Sequence, residues 1–211
     1  MSRKVSTEVE GARLTIVGAK NHPEIKKRLA RYGYNDKRLD EGLDMIEDIK
    51  QYTTQQDESL GLQKEATSRY KQYRELLQDM YLKHLSLARI ALKEDITAGD
   101  MLKLWGARQR DIAGWINQVS TFYNHASRYV EVLSQYSISQ EAIEQGKAMV
   151  KAIEEARVQQ AMGRSNAQVA TKRRRKAFTD LMMWVSELRY ISRRALKDEP
   201  QYLEALGEVV K

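Results

Sequence analysis

The chain contains no cysteine, which removes disulfide staples, thiolate nucleophiles, cysteine-ligated zinc and iron–sulfur clusters in one step. Proline is nearly as scarce: two in 211 residues leave long stretches in which nothing forbids a helix. No uninterrupted run of about 18 uncharged apolar residues occurs, so no membrane-spanning helix is expected. Met1 to Glu8 carries charge with no apolar run behind it and does not read as a secretory signal, so a cytoplasmic protein is expected. Also missing are a glycine-rich phosphate loop, a Gly-x-Ser-x-Gly elbow and a His-Glu-x-x-His run. Neither His84 nor His125 has a glutamate three residues before it, as the di-metal helical bundles require. The expectation is a protein that is not an enzyme and carries neither cofactor nor metal.

Charge is what the chain has in quantity. Charged residues make up 31% of it, and with many Ala, Leu and Gln they describe a strong intrinsic preference for helix. The net charge is +7 with a pI near 9.4, a balance that favours polyanionic partners.

The sequence repeats. Ala91-Leu92-Lys93-Glu94-Asp95 returns as Ala195-Leu196-Lys197-Asp198-Glu199, and the step from 91 to 195 is an offset of 104. At that offset Leu39, Gly42, Ile46 and Ile49 match Ile143, Gly146, Val150 and Ile153, all on one helical stripe. A second stripe, Ala66, Tyr70, Tyr73, Leu77, Met80, His84, Leu87 and Ala91, is matched by Ala170, Ala177, Leu181, Trp184, Leu188, Ile191 and Ala195. Pro23 opens a short helix that Gly33 closes, and Asn35 caps the next. Gly61 and Gly163 read as turns. The predicted architecture is therefore all-α. Two tandem helical hairpins, 23–106 and 135–211, are joined by a long linker helix, 107–134, in an up-and-down bundle. Residues 1–22 stand apart: Val5, Thr7 and Val9 alternate with polar residues, and Leu14-Thr15-Ile16-Val17 is mostly β-branched. They predict a β-prone extended arm.

A hairpin ending in Ala-Leu plus charges, then a linker helix carrying Asp111-Ile112-Ala113-Gly114-Trp115-Ile116, resembles uncharacterised bacterial tandem helical-hairpin proteins. The resemblance covers about residues 33 to 208 and implies a fold but no activity. Arg110-Asp111 before Trp115-Ile116 also resembles the first helix of spectrin-type repeats.

Three functional readings follow. The first is a helical scaffold or adaptor working through protein–protein contacts, with self-association as a homo-oligomer through the arm residues Val5, Val9, Leu14, Ile16 and Val17. The second is binding of nucleic acid or an anionic membrane surface through Lys172, Arg173, Arg174, Arg175 and Lys176, five consecutive cations that a solvated helix face would also explain. The third is a metal or small-ligand site in the bundle near His84, whose counterpart is Leu188; a core histidine with a local hydrogen bond is the competing explanation. Thr53, Gln56, Arg157 and Gln160 are polar residues on the stripes, suited to fixing register or to lining a small pocket.

Overall fold

A computed structural model describes residues 3–208 of the chain. The described residues are all-α, with no strand among them. In order they form α1 (Arg3–Asn21), α2 (Pro23–Ala30), α3 (Asp36–Ala91), α4 (Ile96–Met101), α5 (Ile112–Ala126), a 3₁₀ turn (Ser127–Tyr129), α6 (Val130–Ser134), α7 (Gln140–Ala195) and a terminal 3₁₀ helix (Pro200–Leu206).

The internal repeat is written into the backbone. Helices α3 and α7 each have 56 residues, and both their ends differ by the same 104 positions. Asn35 caps α3 by accepting from the Arg38 amide at 3.0 Å, and Ser139 does the same for α7 from Ala142 at 3.3 Å. The turns agree too. Tyr34 N–H donates to Leu29 O and Ile138 N–H to Leu133 O, closing α2 and α6 over a residue with positive φ, Gly33 in one repeat and Ser137 in the other. After α4 and after the terminal 3₁₀ helix the left-handed positions are Lys103 and Gly207.

Three expectations are corrected. Gly61 and Gly163 do not turn the chain, and the hairpins are single continuous helices. A lone glycine costs a helix roughly 1 kcal/mol but breaks no hydrogen bond, and neither proline nor a second glycine stands beside either one. Secondly, the linker helix starts at Ile112 rather than 107, because the Asp111 carboxylate caps it by accepting from the Gly114 amide at 2.8 Å. It also stops at Ala126, before the 3₁₀ turn. Thirdly, the β-prone arm is helix α1. Val5, Val9, Ala12, Ile16 and Ala19 recur at steps of four and three, and burying that stripe outweighs the few tenths of a kcal/mol by which β-branched residues disfavour helix.

The chain divides into two compact units, and neither coincides with a repeat. The first holds residues 3–61 and 165–208 of the described chain, so α1, α2 and the opening half of α3 lie with the closing half of α7 and the terminal 3₁₀ helix. Its core includes Ile16, Leu39, Ile46, Ile49, Leu181, Trp184 and Leu188. The second holds residues 62–164: the rest of α3, then α4 to α6 and the opening half of α7, around Leu77, Tyr81, Val119, Phe122, Tyr123, Ile143 and Ile153. Within each unit the α3 and α7 segments run antiparallel. Gly42 faces Trp184 and Gln56 donates to Thr171 in the first; Gly163 lies against Gln63 and Ala66 in the second. Each unit thus combines the leading half of one repeat with the trailing half of the other.

The matched glycines show how the two units differ. A Cβ on Gly42 would stand 2.6 Å from the Trp184 ring, and one on Gly146 would stand 2.2 Å from the Tyr123 ring. The counterpart of Trp184 is Met80 and that of Tyr123 is Ala19. One large ring therefore covers the bare backbone in each unit, brought by the trailing half in the first and by the leading half in the second.

Candidate functional site

His84 lies on α3 in the second unit and is 7% exposed. Its Nδ1 is 3.0 Å from the Tyr123 hydroxyl on α5, with the rings edge to face at 5.9 Å. Burial first, and then the charge of Lys83, hold the imidazole pKa below its ordinary value, while burial raises that of the Tyr123 phenol. In either tautomer of the neutral ring this contact gives the buried phenol a hydrogen-bond partner, the phenol donating to a bare Nδ1 or accepting from a protonated one. Leu188 and Ala19 occupy the matching positions in the first unit, so the pair is a polar substitution within one core. Among the described residues no group of three or more His, Asp or Glu is placed to hold a metal ion.

The lowered pKa has a testable consequence. A histidine depressed by folding contributes its full stability above the ordinary value of 6.5 and loses it as pH falls through the depressed one. Exchanging His84→Leu together with Tyr123→Phe is expected to flatten the loss of stability as pH falls below 6.5. Urea unfolding of both proteins across that range reads it, and an unchanged slope would dismiss His84 as its source.

The first unit has its own polar contact, which the sequence alone did not disclose. The Thr15 hydroxyl lies 3.0 Å from the carbonyl oxygens of Gly11 and Leu206 and accepts from Arg189 at 3.1 Å, holding the terminal 3₁₀ helix against α1. Gly18 allows that approach, since a Cβ there would meet the Ala205 carbonyl oxygen at 2.2 Å. The matching residues in the second unit are Val119, Leu102 and Leu85, all apolar and buried. A threonine inside a β-branched run carries no sequence signal of this.

The residues read as a self-association arm do other work. Val9 and Ile16 are buried in the first unit, Val5 and Val17 are half-buried, and Leu14 alone is more than half exposed, at 52%. Of the polar stripe residues, Gln56 donates to Thr171 at 3.1 Å in the first unit. Gln160 and Arg157 line separate surface clefts of the second. Thr53 donates back to the Ile49 carbonyl at 2.7 Å.

The basic cluster lies on the closing half of α7, in the first unit. Five consecutive helical residues point all round the axis, so they divide. Arg174 turns inward, half-buried, with its Nε enclosed and unpartnered. Arg173 and Lys176 line a cleft of about 250 Å³ with Met45, Asp48, Tyr52 and Asp180, where Lys176 pairs with Asp180 at 2.7 Å. Lys172 and Arg175 face outward, exposed. Among the described residues, Lys172, Arg173, Arg174 and Arg175 make no ion pair.

The setting extends the cluster. Residues 165–195 carry eight basic side chains against two carboxylates, whereas residues 36–61 of the same unit carry three against eight. Lys172, Arg175, Thr179, Met183, Ser186, Tyr190 and Arg193, spaced by three and four, form an exposed stripe with no carboxylate in it. The two carboxylates lie to its side: Asp180 in the cleft, and Glu187 beside the Tyr34 hydroxyl, whose pKa burial and then Glu187 push up to about 12. At the same positions α3 has Ser68, Lys71, Glu75, Asp79, Leu82, Ser86 and Arg89, so the carboxylate-free stripe belongs to one repeat only. Among the described residues no helix is long and apolar enough to cross a membrane. The chain matches no protein-family model, and no curated protein or solved structure is significantly similar to it.

Proposed function

We propose that this is a non-enzymatic binding protein that presents the closing half of α7 to an anionic partner. The observation that carries the reading is the exposed, carboxylate-free stripe from Lys172 to Tyr190, on which Lys172 and Arg175, with Arg173 beside them, make no ion pair among the described residues; Arg193 at its end pairs with Glu208 at 2.8 Å. Unpaired cations on one face sum into a local field that attracts polyanions and falls with salt. A merely solvated helix face ordinarily intersperses both signs, as the matching face of α3 does with Glu75 and Asp79.

Heparin tests the reading directly. The triple variant Lys172→Gln, Arg173→Gln, Arg175→Gln removes exposed, unpaired charges and leaves the core untouched. Its affinity for heparin is expected to fall steeply, and the slope of log affinity against log salt to drop by about 3. Equal heparin affinity in the two proteins would end the proposal.

Protein–protein contact, the scaffold reading, has a different surface in its favour. In the second unit Ala113 and Ile116 of α5 and Val158 and Ala161 of α7 line an open groove of about 540 Å³, with Val158 57% exposed.

A further inference from the structure

We infer that the anionic partner of the α7 face is a lipid bilayer surface bearing acidic headgroups. The inference rests on the polyanion reading above and narrows it. Its starting point is that the stripe is not only cationic. Met183 is 68% exposed and Tyr190 63%, with Phe178 and Met182 half-buried at their edge, and these apolar residues lie between the unpaired cations at 172 to 175 and the exposed Arg194. A phosphodiester chain gains nothing from thioethers placed in the middle of its contact. A bilayer does, because acyl chains lie just beneath the headgroups that attract lysine and arginine.

Shape agrees with charge. The patch is lined by residues of α7 alone, with Glu187 at its border as the one carboxylate among them. A peptide helix laid on one such ridge would fall short of the roughly 1,000 Å² that a specific protein interface needs. A membrane asks for no wall: an amphipathic helix lies in the headgroup plane with its apolar residues down and its long basic side chains reaching up to the phosphates. From Lys172 to Arg194 the helix extends about 33 Å, long enough for cations at both ends to engage headgroups while the middle dips. Tyrosine belongs in that layer, with its ring in the apolar edge and its hydroxyl in the wet one. The second repeat alone is built this way, since the counterparts of Met182, Met183 and Tyr190 are Gln78, Asp79 and Ser86.

The test is sedimentation of the full chain with vesicles of phosphatidylcholine containing about 30% phosphatidylserine, against pure phosphatidylcholine, with heparin and duplex DNA binding measured alongside. The wild type is expected to bind the acidic vesicles and to leave the neutral ones. Lys172→Gln with Arg175→Gln lowers vesicle affinity roughly thirtyfold and weakens heparin binding as well. Met183→Ser with Tyr190→Ser, both at exposed positions and so harmless to folding, lowers vesicle affinity about tenfold and leaves heparin binding unchanged. A wild type that holds heparin or duplex DNA but ignores acidic vesicles overturns the lipid inference and leaves the polyanion reading standing. So does a Met183→Ser, Tyr190→Ser protein with full vesicle affinity. Failure to bind heparin, duplex DNA and vesicles alike overturns both.

Discussion

Residues 1–106 and 107–211, produced as two separate chains and mixed, are expected to assemble into a one-to-one complex with cooperative unfolding, while neither fragment alone reaches the same stability. The reason lies in how the units are composed. Leu39, Ile46 and Ile49 of the leading half pack with Leu181, Trp184 and Leu188, which only the other repeat supplies. A lone repeat could satisfy this need by pairing with itself, and the ring over each glycine decides against that. Two copies of the first repeat would set Ala19 and Met80 around Gly42, leaving a hole where a ring belongs. Two copies of the second would set both Tyr123 and Trp184 over Gly146, where one ring already lies close enough to exclude a Cβ. A cavity of that size costs about 2–5 kcal/mol and overpacking about 1–3 kcal/mol, so the mixed pair wins. Size-exclusion with light scattering reads the stoichiometry. Homodimers as stable as the mixed complex would refute the argument.

The same geometry reverses the usual sign of a glycine-to-alanine exchange. In the middle of an exposed helix the change stabilises by roughly 1 kcal/mol, and Gly61→Ala is expected to do so because nothing lies within 4 Å of the new methyl group. Gly146→Ala is also mid-helix, yet its Cβ would fall 2.2 Å from the Tyr123 ring, whose hydroxyl is tied to His84 and whose surroundings are fully packed. That variant is expected to lose about 1–3 kcal/mol, and Gly42→Ala a comparable amount against Trp184. Denaturant midpoints of the three variants separate the cases. A stabilised Gly146→Ala would mean that the ring moves aside freely.

The sequence half revealed the particulars behind both effects. The pairing of Gly42 with Gly146 across 104 positions was legible. The ring that fills each gap was not, because the two rings come from different halves of the repeat and no periodicity links them. The basic cluster from Lys172 to Lys176 was equally plain, but five adjacent residues on a helix point in all directions. Only packing shows that Arg174 is drawn inward, that Arg173 and Lys176 border a cleft with Asp48 and Asp180, and that Lys172 and Arg175 join Met183 and Tyr190 on an outer stripe. His84 was visible as a polar residue on an apolar stripe, and its partner Tyr123, 39 positions away, was not.

Composition, caps and period by themselves determined the all-helical class, the duplication and its offset, the short helix that Pro23 opens and Gly33 closes, and the start of α3 after Asn35. These are local properties, decided by which backbone angles and hydrogen bonds neighbouring residues allow. Three matters waited for tertiary structure: whether the chain turns or continues at Gly61 and Gly163, whether residues 3–21 are strand or helix, and which halves share a core. A stripe of apolar residues at steps of three and four is buried equally well by folding back on its own repeat or by lying along the other one. Local energies differ between those outcomes by little more than a glycine's helix penalty. The apolar surface of each leading half, fitted to the trailing half of the other repeat, tips the choice, and that fit exists only in three dimensions.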